Sequence, residues 1–341
     1  MKPIYILIIA AILALAAGVW LVQQPDSNKL QSQLLFKDLS QFANDLHSVE
    51  IENAQGVVFS AKKSGDSWLA TVAPQLPTYP VSQEQLATLV TSLVQLKLIE
   101  PKTSKTKNYA RLGLQDISNI DSLASLVRLK TSDHSWSVLV GNNVSFTEGS
   151  YVRRPKNQQS WRTNKTITLP LDKFSWLKQP ILPFTAEDIV AISRVDKVNW
   201  QMVKQDDGNF NLTHSSADST LKYQGVLEAM AASVSSLNFE KLLVSDEVSY
   251  LSQNILAEFE LEMAQGDLIR LVVSEMDGNH LVSFPTEFPN EYWHNWHYQV
   301  SNFSAQQIVK TPEDFLAQKN PALTAEDLDK SNNVEEGESP N

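Results

Sequence analysis

The sequence carries one order of elements twice, and this repeat limits the folds that the chain can adopt. The first copy has strand-like runs at 57–61 and 67–72, joined by a turn-like "SGD". From about residue 195 the second copy has "VNWQMVKQ", the turn "DDG" and "NFNLTH", so that Trp68 corresponds to Phe210. A repeat period this long indicates two similar domains rather than a solenoid.

An amphipathic helix follows the hairpin in each copy. Ser82 and Gln85 have the spacing of a capping box, which marks a helix N-terminus. Apolar residues recur at helical spacing, at Leu86, Leu89, Val90, Leu93 and Leu96 in the first copy and at Tyr223, Val226, Leu227, Met230, Val234 and Leu237 in the second. The pattern predicts one main helix per copy, over 82–98 and 221–238.

The later segments also correspond. The run "LVRLKTSDHSWSVLVG" matches "FELEMAQGDLIRLVVS", "NKTITLPL" matches "WHYQVSNF", and Tyr109 in "YARLGL" matches Tyr250. The order of strands and single helices is typical of an α+β fold. We therefore predict two tandem-duplicated mixed domains with antiparallel sheets and one main helix each, at 47–182 and 183–318.

The N-terminus contains a run that is long enough to cross a membrane. Residues 4–22 are 19 residues without a charge, and a helix of that length spans roughly the 30 Å hydrocarbon layer of a bilayer. We predict a transmembrane anchor at 4–22, a cytoplasmic N-terminus at 1–3 and a linker helix at 23–46. The alternative is a cleaved signal peptide, since "ALA" at 14–16 is typical of a cleavage site.

The charge before this run sets the expected orientation. Lys2 is the only charged residue there, and the positive-inside rule places it in the cytoplasm. The expected protein is a single-pass protein of the cell inner membrane that contacts lipid through 4–22 and has the bulk of its chain in the periplasm. Residues 319–341 are rich in acidic residues and poor in apolar ones, which predicts a disordered acidic tail.

Composition and motifs exclude several kinds of function. A net charge of −11 argues against a general nucleic-acid binder, and the absence of cysteine excludes disulfides and thiolate sites. The sequence lacks a Gly-x-Ser-x-Gly elbow, a P-loop, a dinucleotide-binding fingerprint and a His-Glu-x-x-His motif. We expect no catalytic residues, no metal and no cofactor, although a carboxylate pair cannot be recognised from sequence alone.

Two segments carry candidate binding residues. In "EYWHNWHYQV", Trp293 and Trp296 could stack on a sugar and His294 and His297 could hold a metal. In a strand, however, the two histidines point to opposite faces. In "YVRRPK" the side chains could grip an anionic lipid or glycan, through Tyr151, Arg153 and Arg154. For both segments the competing interpretation is an ordinary structural role in a sheet.

Several of these features together resemble a known family. The N-terminal span, the Trp-containing hairpin, "YARLGL", "VLVGNN" and "GSYVRR" resemble membrane-anchored proteins that carry the domain of unknown function 4340. The resemblance covers most of residues 30–310 and is clearer in the first copy, since the second has "GNHLVSF" in place of "GSYVRR".

The resemblance implies a partner but no chemistry. Such proteins are often encoded beside the permease and auxiliary subunits of an ABC-type export system that resembles the gliding-motility transporter, and the family supplies no catalytic residues. The resulting expectation is a non-catalytic accessory or scaffold subunit of an ABC-type transporter complex, with permease subunits as partners. The alternative is a periplasmic glycan-binding or envelope-modifying enzyme that uses the segment from Trp293 to Tyr298.

Overall fold

The structure is a computed structural model that describes residues 32–72, 76–213, 219–244, 254–285 and 292–317. The chain forms two compact units, Met1–Leu177 (unit 1) and Lys178–Asn341 (unit 2). The sequence analysis placed the boundary after residue 182. The predicted span at 4–22, Tyr250 and the predicted tail at 319–341 lie outside the described residues. Within the described ranges, no helix has both the length and the apolar character needed to cross a membrane.

Unit 1 contains an antiparallel sheet. Its described strands are β1 Gln33–Leu34, β2 Ser48–Asn53, β3 Gly56–Ser64, β4 Ser67–Thr71, β5 Thr78–Pro80, β6 Lys97–Pro101, β7 Ser125–Lys130, β8 Ser135–Asn143, β9 Ser150–Arg153 and β10 Ser160–Thr163. Their order across the sheet is β1-β6-β10-β9-β8-β7-β2-β3-β4-β5. The helices of this unit are α1 Leu39–Phe42, α2 Gln83–Gln95 and α3 Tyr109–Leu112, with 3₁₀ turns at Ala43–Asp45, Thr106–Asn108 and Lys173–Trp176.

Unit 2 contains a second antiparallel sheet. Its described strands are β11 Ile189–Arg194, β12 Trp200–Lys204, β13 Phe210–Thr213, β14 Lys241–Val244, β15 Asn254–Met263, β16 Leu268–Met276, β17 Asn279–Ser283 and β18 Trp296–Val300. Their order is β13-β12-β11-β15-β16-β17-β18-β14. The helices are α4 Val226–Ser235, α5 Asn302–Ile308 and α6 Pro312–Phe315, with 3₁₀ turns at Ala186–Asp188 and Trp293–Asn295.

The two sheets share one strand order. Strands β4-β3-β2-β7-β8-β9-β10-β6 of unit 1 follow one another as β13-β12-β11-β15-β16-β17-β18-β14 do in unit 2. In each unit the main helix, α2 or α4, connects the hairpin at one end of this series to the strand at the other end. The predicted mixed α+β class with antiparallel sheets and few helices is confirmed.

The last described segment of each unit pairs with the residues just before the main helix of that unit. Leu177 forms an isolated antiparallel bridge with Val81, and Leu316 forms one with Leu221. The backbone N–H next to each bridge donates to the neighbouring carbonyl, from Ser82 to Trp176 at 2.9 Å in unit 1. The corresponding bond in unit 2 runs from Lys222 to Phe315 at 2.8 Å. These bonds hold the end of each unit against the residues that precede its main helix.

The main helices begin and end inside the predicted ranges. The Ser82 hydroxyl accepts the Gln85 N–H at 3.3 Å and caps α2, whose buried face carries Leu86, Leu89 and Leu93. Helix α4 starts later than its apolar pattern suggests, because Gly225 adopts a left-handed conformation at φ 85° immediately before it. Tyr223 therefore lies outside the helix and is exposed.

Two sequence predictions need correction. The linker helix predicted over 23–46 does not extend through its described part, because Gln33–Leu34 pair with β6 and supply their backbone hydrogen bonds there. The strand that matches β18 is β10, Ser160–Thr163, rather than "NKTITLPL" at 164–171. Just after β10, the Asn164 N–H donates to the Lys97 carbonyl at 3.0 Å, and the Asn164 Oδ1 accepts the Lys97 N–H at 2.7 Å.

Candidate functional site

The predicted aromatic platform lies in the core of unit 2. Trp293 is 3% exposed, Trp296 is 1% exposed and His297 is fully buried. The interpretation of this segment as one strand is wrong, since Trp293 and His294 belong to a 3₁₀ turn and β18 begins at Trp296. Strand β18 lies between β17 and β14; β14 pairs with Trp296–Gln299 and β17 with Tyr298–Val300.

The aromatic rings of this segment pack against the core. Trp293 lies 5.4 Å from Phe284, measured between ring centroids. Tyr298 makes edge-on contacts with Phe239 at 5.5 Å and with Phe284 at 5.8 Å. Such contacts stabilise a fold and leave no ring face open to a sugar. Burial lowers the pKa of His297, which favours the neutral imidazole.

The second candidate group lies in unit 1, on β9 and just after it. Arg153 is 4% exposed, and its guanidinium donates to the Leu114 carbonyl at 3.2 Å and to Asp116 Oδ1 at 2.7 Å. It also lies 4.5 Å from the centre of the Tyr109 ring, a cation–π geometry. Arg153 therefore ties β9 to the segment after α3.

Tyr151 and Arg154 have structural roles of the same kind. Tyr151 is half-buried and packs on the cluster that includes Tyr109 and Leu114. Arg154 is an exposed residue, but its guanidinium donates to the Leu35 carbonyl. The three side chains do not converge on an open pocket. The tryptophans and the arginines also belong to different units.

The segments that carry the family resemblance meet in unit 1. Gly113 ends α3 in the left-handed conformation at φ 67°, and a Cβ there would lie 2.5 Å from Asn142 Oδ1. A Cβ on Gly141 would lie 2.3 Å from the Leu112 carbonyl oxygen. The Tyr109 hydroxyl donates to the Gln158 carbonyl at 2.5 Å. The motif residues of "YARLGL", "VLVGNN" and "GSYVRR" thus form a packed structural junction.

An open groove of about 490 Å³ lies elsewhere in unit 1. Helix α2 forms one wall, α1 with its following 3₁₀ turn forms another, and the β3–β4 hairpin forms the third. The apolar lining residues are Ala43, Leu46, Trp68, Leu86, Ala87, Val90 and Val94. The polar lining residues are Ser40, Asn44, Lys63, Asp66, Gln83 and Thr91. A concave, mainly apolar surface with a few polar groups is typical of a binding site.

The groove has one charge of each sign on its hairpin wall. Lys63 and Asp66 are both exposed. Within the part of the chain that the structure describes, neither side chain forms a hydrogen bond or an ion pair. The sequence pattern places Val90 on the apolar face of the helix, and in the structure Val90 is half-buried and lines the groove. The sequence signal is the width of the apolar face of α2, to which the exposed Ala87 and the half-buried Val94 also belong.

Unit 2 has a cavity of about 730 Å³, whose lining includes Trp200, Glu260 and Leu316. Thr213 and Ser219 also line it, and they flank residues 214–218, which lie outside the described ranges. Across the described ranges, no group of three or more His, Asp or Glu side chains is placed to hold a metal ion. The groove of unit 1 is therefore the candidate site, because its lining residues do not adjoin residues outside the described ranges.

The described residues form an α+β protein of two sheet units, with an open groove in the first unit. The family model described as "Domain of unknown function (DUF4340)" matches residues 68–255, which is more than half of the chain, and the chain belongs to this family. The match begins in β4 of unit 1 and ends in β15 of unit 2. No curated protein and no solved structure matches the chain.

Proposed function

We propose that this protein is a non-catalytic accessory or scaffold subunit of an ABC-type transporter complex, anchored in the inner membrane through residues 4–22. Its two units, related by tandem duplication, would lie in the periplasm. In this arrangement the protein recognises a permease or auxiliary subunit through its surface and performs no reaction on it.

The observation that carries the proposal is the contrast between Arg153 and the groove. Arg153, a cation of the family motif "GSYVRR", is buried and donates hydrogen bonds to Leu114 and Asp116 inside unit 1. The groove offers apolar area with Lys63 and Asp66 at its wall. Such a surface suits recognition of another chain. Family membership and the uncharged run at 4–22 support the same assignment.

Affinity purification from solubilised membranes tests the proposal. The full chain with a C-terminal tag should recover ABC-type permease subunits in a fixed ratio, identified by mass spectrometry. An unrelated single-pass periplasmic protein with the same tag serves as the control. Recovery of the chain alone, in several mild detergents and after cross-linking in intact cells, would contradict the proposal.

The glycan-binding alternative has lost its main support. Trp293 and Trp296 are 3% and 1% exposed, so neither presents a ring face to a sugar. If cell-wall fragments nevertheless changed the tryptophan fluorescence of the full chain in a saturable way, the scaffold proposal would have to be abandoned.

A further inference from the structure

The two units contain matching positions around the groove, and these positions differ in one informative way. Lys63 pairs with Trp68 across the β3–β4 hairpin, and Lys204 pairs with Phe210 across β12–β13. In each unit a 3₁₀ turn precedes the strand that pairs with the lysine-bearing strand. Ala43–Asp45 lies before β2 in unit 1, and Ala186–Asp188 lies before β11 in unit 2. Unit 2 therefore serves as an internal reference for the groove of unit 1.

In unit 2 the matching lysine is fully engaged. Lys204 Nζ donates to the carbonyl oxygens of Ala186 at 3.1 Å and Glu187 at 2.7 Å. The same ammonium lies 5.2 Å from the centre of the Phe210 ring. The 3₁₀ turn contacts α4, where Ala231 is fully buried. A short peptide turn thus occupies the space beside the helix and satisfies the lysine with backbone carbonyls.

In unit 1 the corresponding space is open. Leu46 and His47 separate the 3₁₀ turn Ala43–Asp45 from β2, whereas in unit 2 the turn runs directly into β11. Lys63 is exposed and lines the groove together with its cross-strand partner Trp68, and Val90 on α2 is only half-buried. Unit 1 therefore has the matching lysine, aromatic ring and helix face, but no carbonyl of a 3₁₀ turn accepts a hydrogen bond from Lys63 among the described residues.

We propose that the groove of unit 1 binds a short turn or extended segment of a partner protein. Backbone carbonyls of that segment accept hydrogen bonds from Lys63, as those of Ala186 and Glu187 do from Lys204. An apolar side chain of the segment packs between Trp68 and Val90. This inference rests on the proposed function, in which the partner is a periplasmic loop of a transporter subunit.

Asp66 favours a peptide over an anionic amphiphile. An acyl chain with an acidic headgroup would match Lys63 and the apolar floor, but its headgroup would also face the Asp66 carboxylate at the same wall. Like charges this close repel each other. A peptide presents carbonyl oxygens to Lys63 and N–H groups to Asp66, so both side chains gain a partner.

Site-specific photo-cross-linking in native membranes tests this inference. A photoreactive phenylalanine analogue replaces Val90 in the full chain, and the matched control places it at Thr88, an exposed α2 residue outside the groove lining. We expect a single cross-linked partner peptide at position 90 and none at position 88. The yield at position 90 should fall about tenfold with Lys63→Ala and stay unchanged with Lys62→Ala.

The outcomes separate this inference from the proposed function. A position-90 cross-link to a protein unrelated to transport supports the groove and contradicts the transporter role. Recovery of permease subunits by the wild type, with no peptide cross-linked at position 90, overturns the groove and leaves the role standing. Cross-linking of lipid alone, or a yield indifferent to Lys63→Ala, also overturns it.

A binding measurement supplies a second readout with a defined probe. A fluorescent peptide of residues 183–190 carries the unit 2 turn, and its polarisation should rise in a saturable way with the full chain. Lys63→Ala should weaken this binding about tenfold, while Lys62→Ala should not change it. Equal binding of a scrambled peptide of the same composition would overturn the inference.

Discussion

Phe59 stacks on Trp176 in unit 1, with their ring centroids 4.7 Å apart. Unit 2 has the same two ring types in exchanged positions, where Trp200 meets Phe315 edge-on at 5.0 Å. Phe59 and Trp200 lie four residues before the matching lysines Lys63 and Lys204 on their strands. Trp176 and Phe315 are the residues whose carbonyls accept the closing hydrogen bonds. A ring pair therefore locks the last segment of each unit onto its sheet, and the exchange keeps the combined volume.

Truncation of Trp176 or Phe315, the rings of the two closing segments, should destabilise the unit to which the ring belongs. Trp176 is fully buried and Phe315 is 1% exposed, so Trp176→Ala and Phe315→Ala should each cost about 3–5 kcal/mol. The exchanged double variant Phe59→Trp with Trp176→Phe should lose less than Trp176→Ala, because it keeps the total ring volume. Hydrogen exchange at the amides of Ser82 and Lys222 would report each unit separately. Equal loss of protection at both amides in one variant would contradict local locking.

The junction of the family motifs should not tolerate a methyl group at Gly141. The new Cβ would lie 2.3 Å from the Leu112 oxygen and 2.8 Å from the Gly113 oxygen, which are backbone atoms and cannot rotate away. Gly141→Ala should therefore lower the free energy of unfolding by about 3 kcal/mol. Ser137→Ala, on the same strand, should change it by less than about 0.5 kcal/mol. Denaturant titration followed by circular dichroism compares the two, and similar midpoints would contradict the steric argument.

Elements defined by local pattern could be predicted from the sequence. The leucines at 86, 89 and 93 recur at helical spacing and are buried on α2. The pairing of Trp68 and Phe210 with matching lysines agrees with their predicted correspondence. These features depend on side-chain period and turn composition, which are local properties of the chain.

The candidate site depended on distant contacts and could not be predicted. Arg153 looks like a surface cation in "YVRRPK", but it is 4% exposed, and its guanidinium donates to Leu114 and Asp116 within unit 1. Trp296 looks like a ligand platform, but its side chain is 1% exposed in the core of unit 2. The groove lies where two residues, Leu46 and His47, separate a 3₁₀ turn from β2, whereas in unit 2 the turn runs directly into β11. None of these causes changes the local pattern around the residues that it affects.

Removal of the Asp196 carboxylate should lower the stability of unit 2, because it leaves the buried Arg194 without its ion-pair partner. Burial would raise the pKa of Asp196, but hydrogen bonds from the Val198 N–H at 2.7 Å, the Arg194 guanidinium and the Glu258 N–H outweigh it and lower that pKa. Arg194 is buried, so Asp196→Ala should cost about 3–5 kcal/mol. Arg270→Ala breaks the exposed pair with Glu260 and should cost less than about 1 kcal/mol.

The same carboxylate should contribute to acid sensitivity. Because its pKa is lower in the folded than in the unfolded state, its stabilisation is present above about pH 4 and is lost as the pH falls through the folded pKa. Asp196→Asn should flatten the decline of unfolding free energy below pH 4. Thermal unfolding at several pH values measures this decline, and an unchanged decline in the variant would show that other groups cause it.

Reporter fusions should give the orientation of the chain. We expect an uncleaved anchor at 4–22 with Lys2 in the cytoplasm. A reporter that works only outside the cytoplasm should then be active when it is fused after residue 341. A matched cytoplasmic reporter at the same position should be silent. The opposite result would reverse the orientation. A mature N-terminus near Ala17, found by mass spectrometry, would show a cleaved signal peptide.

Neutral His297 should make unit 2 sensitive to mild acid. Burial lowers the pKa of His297, so below about pH 6.5 the unfolded chain binds a proton that the folded chain does not. Its stabilisation is present above that pH and is lost as the pH falls, by at most about 1.4 kcal/mol per pH unit. His297→Gln should remove this slope between pH 6.5 and 5, whereas Tyr298→Phe should shift stability equally at both pH values. The slope is measured by denaturant titration of the wild type and both variants. If His297→Gln kept the full wild-type slope while Tyr298→Phe behaved as expected, the acid sensitivity would have to come from another group.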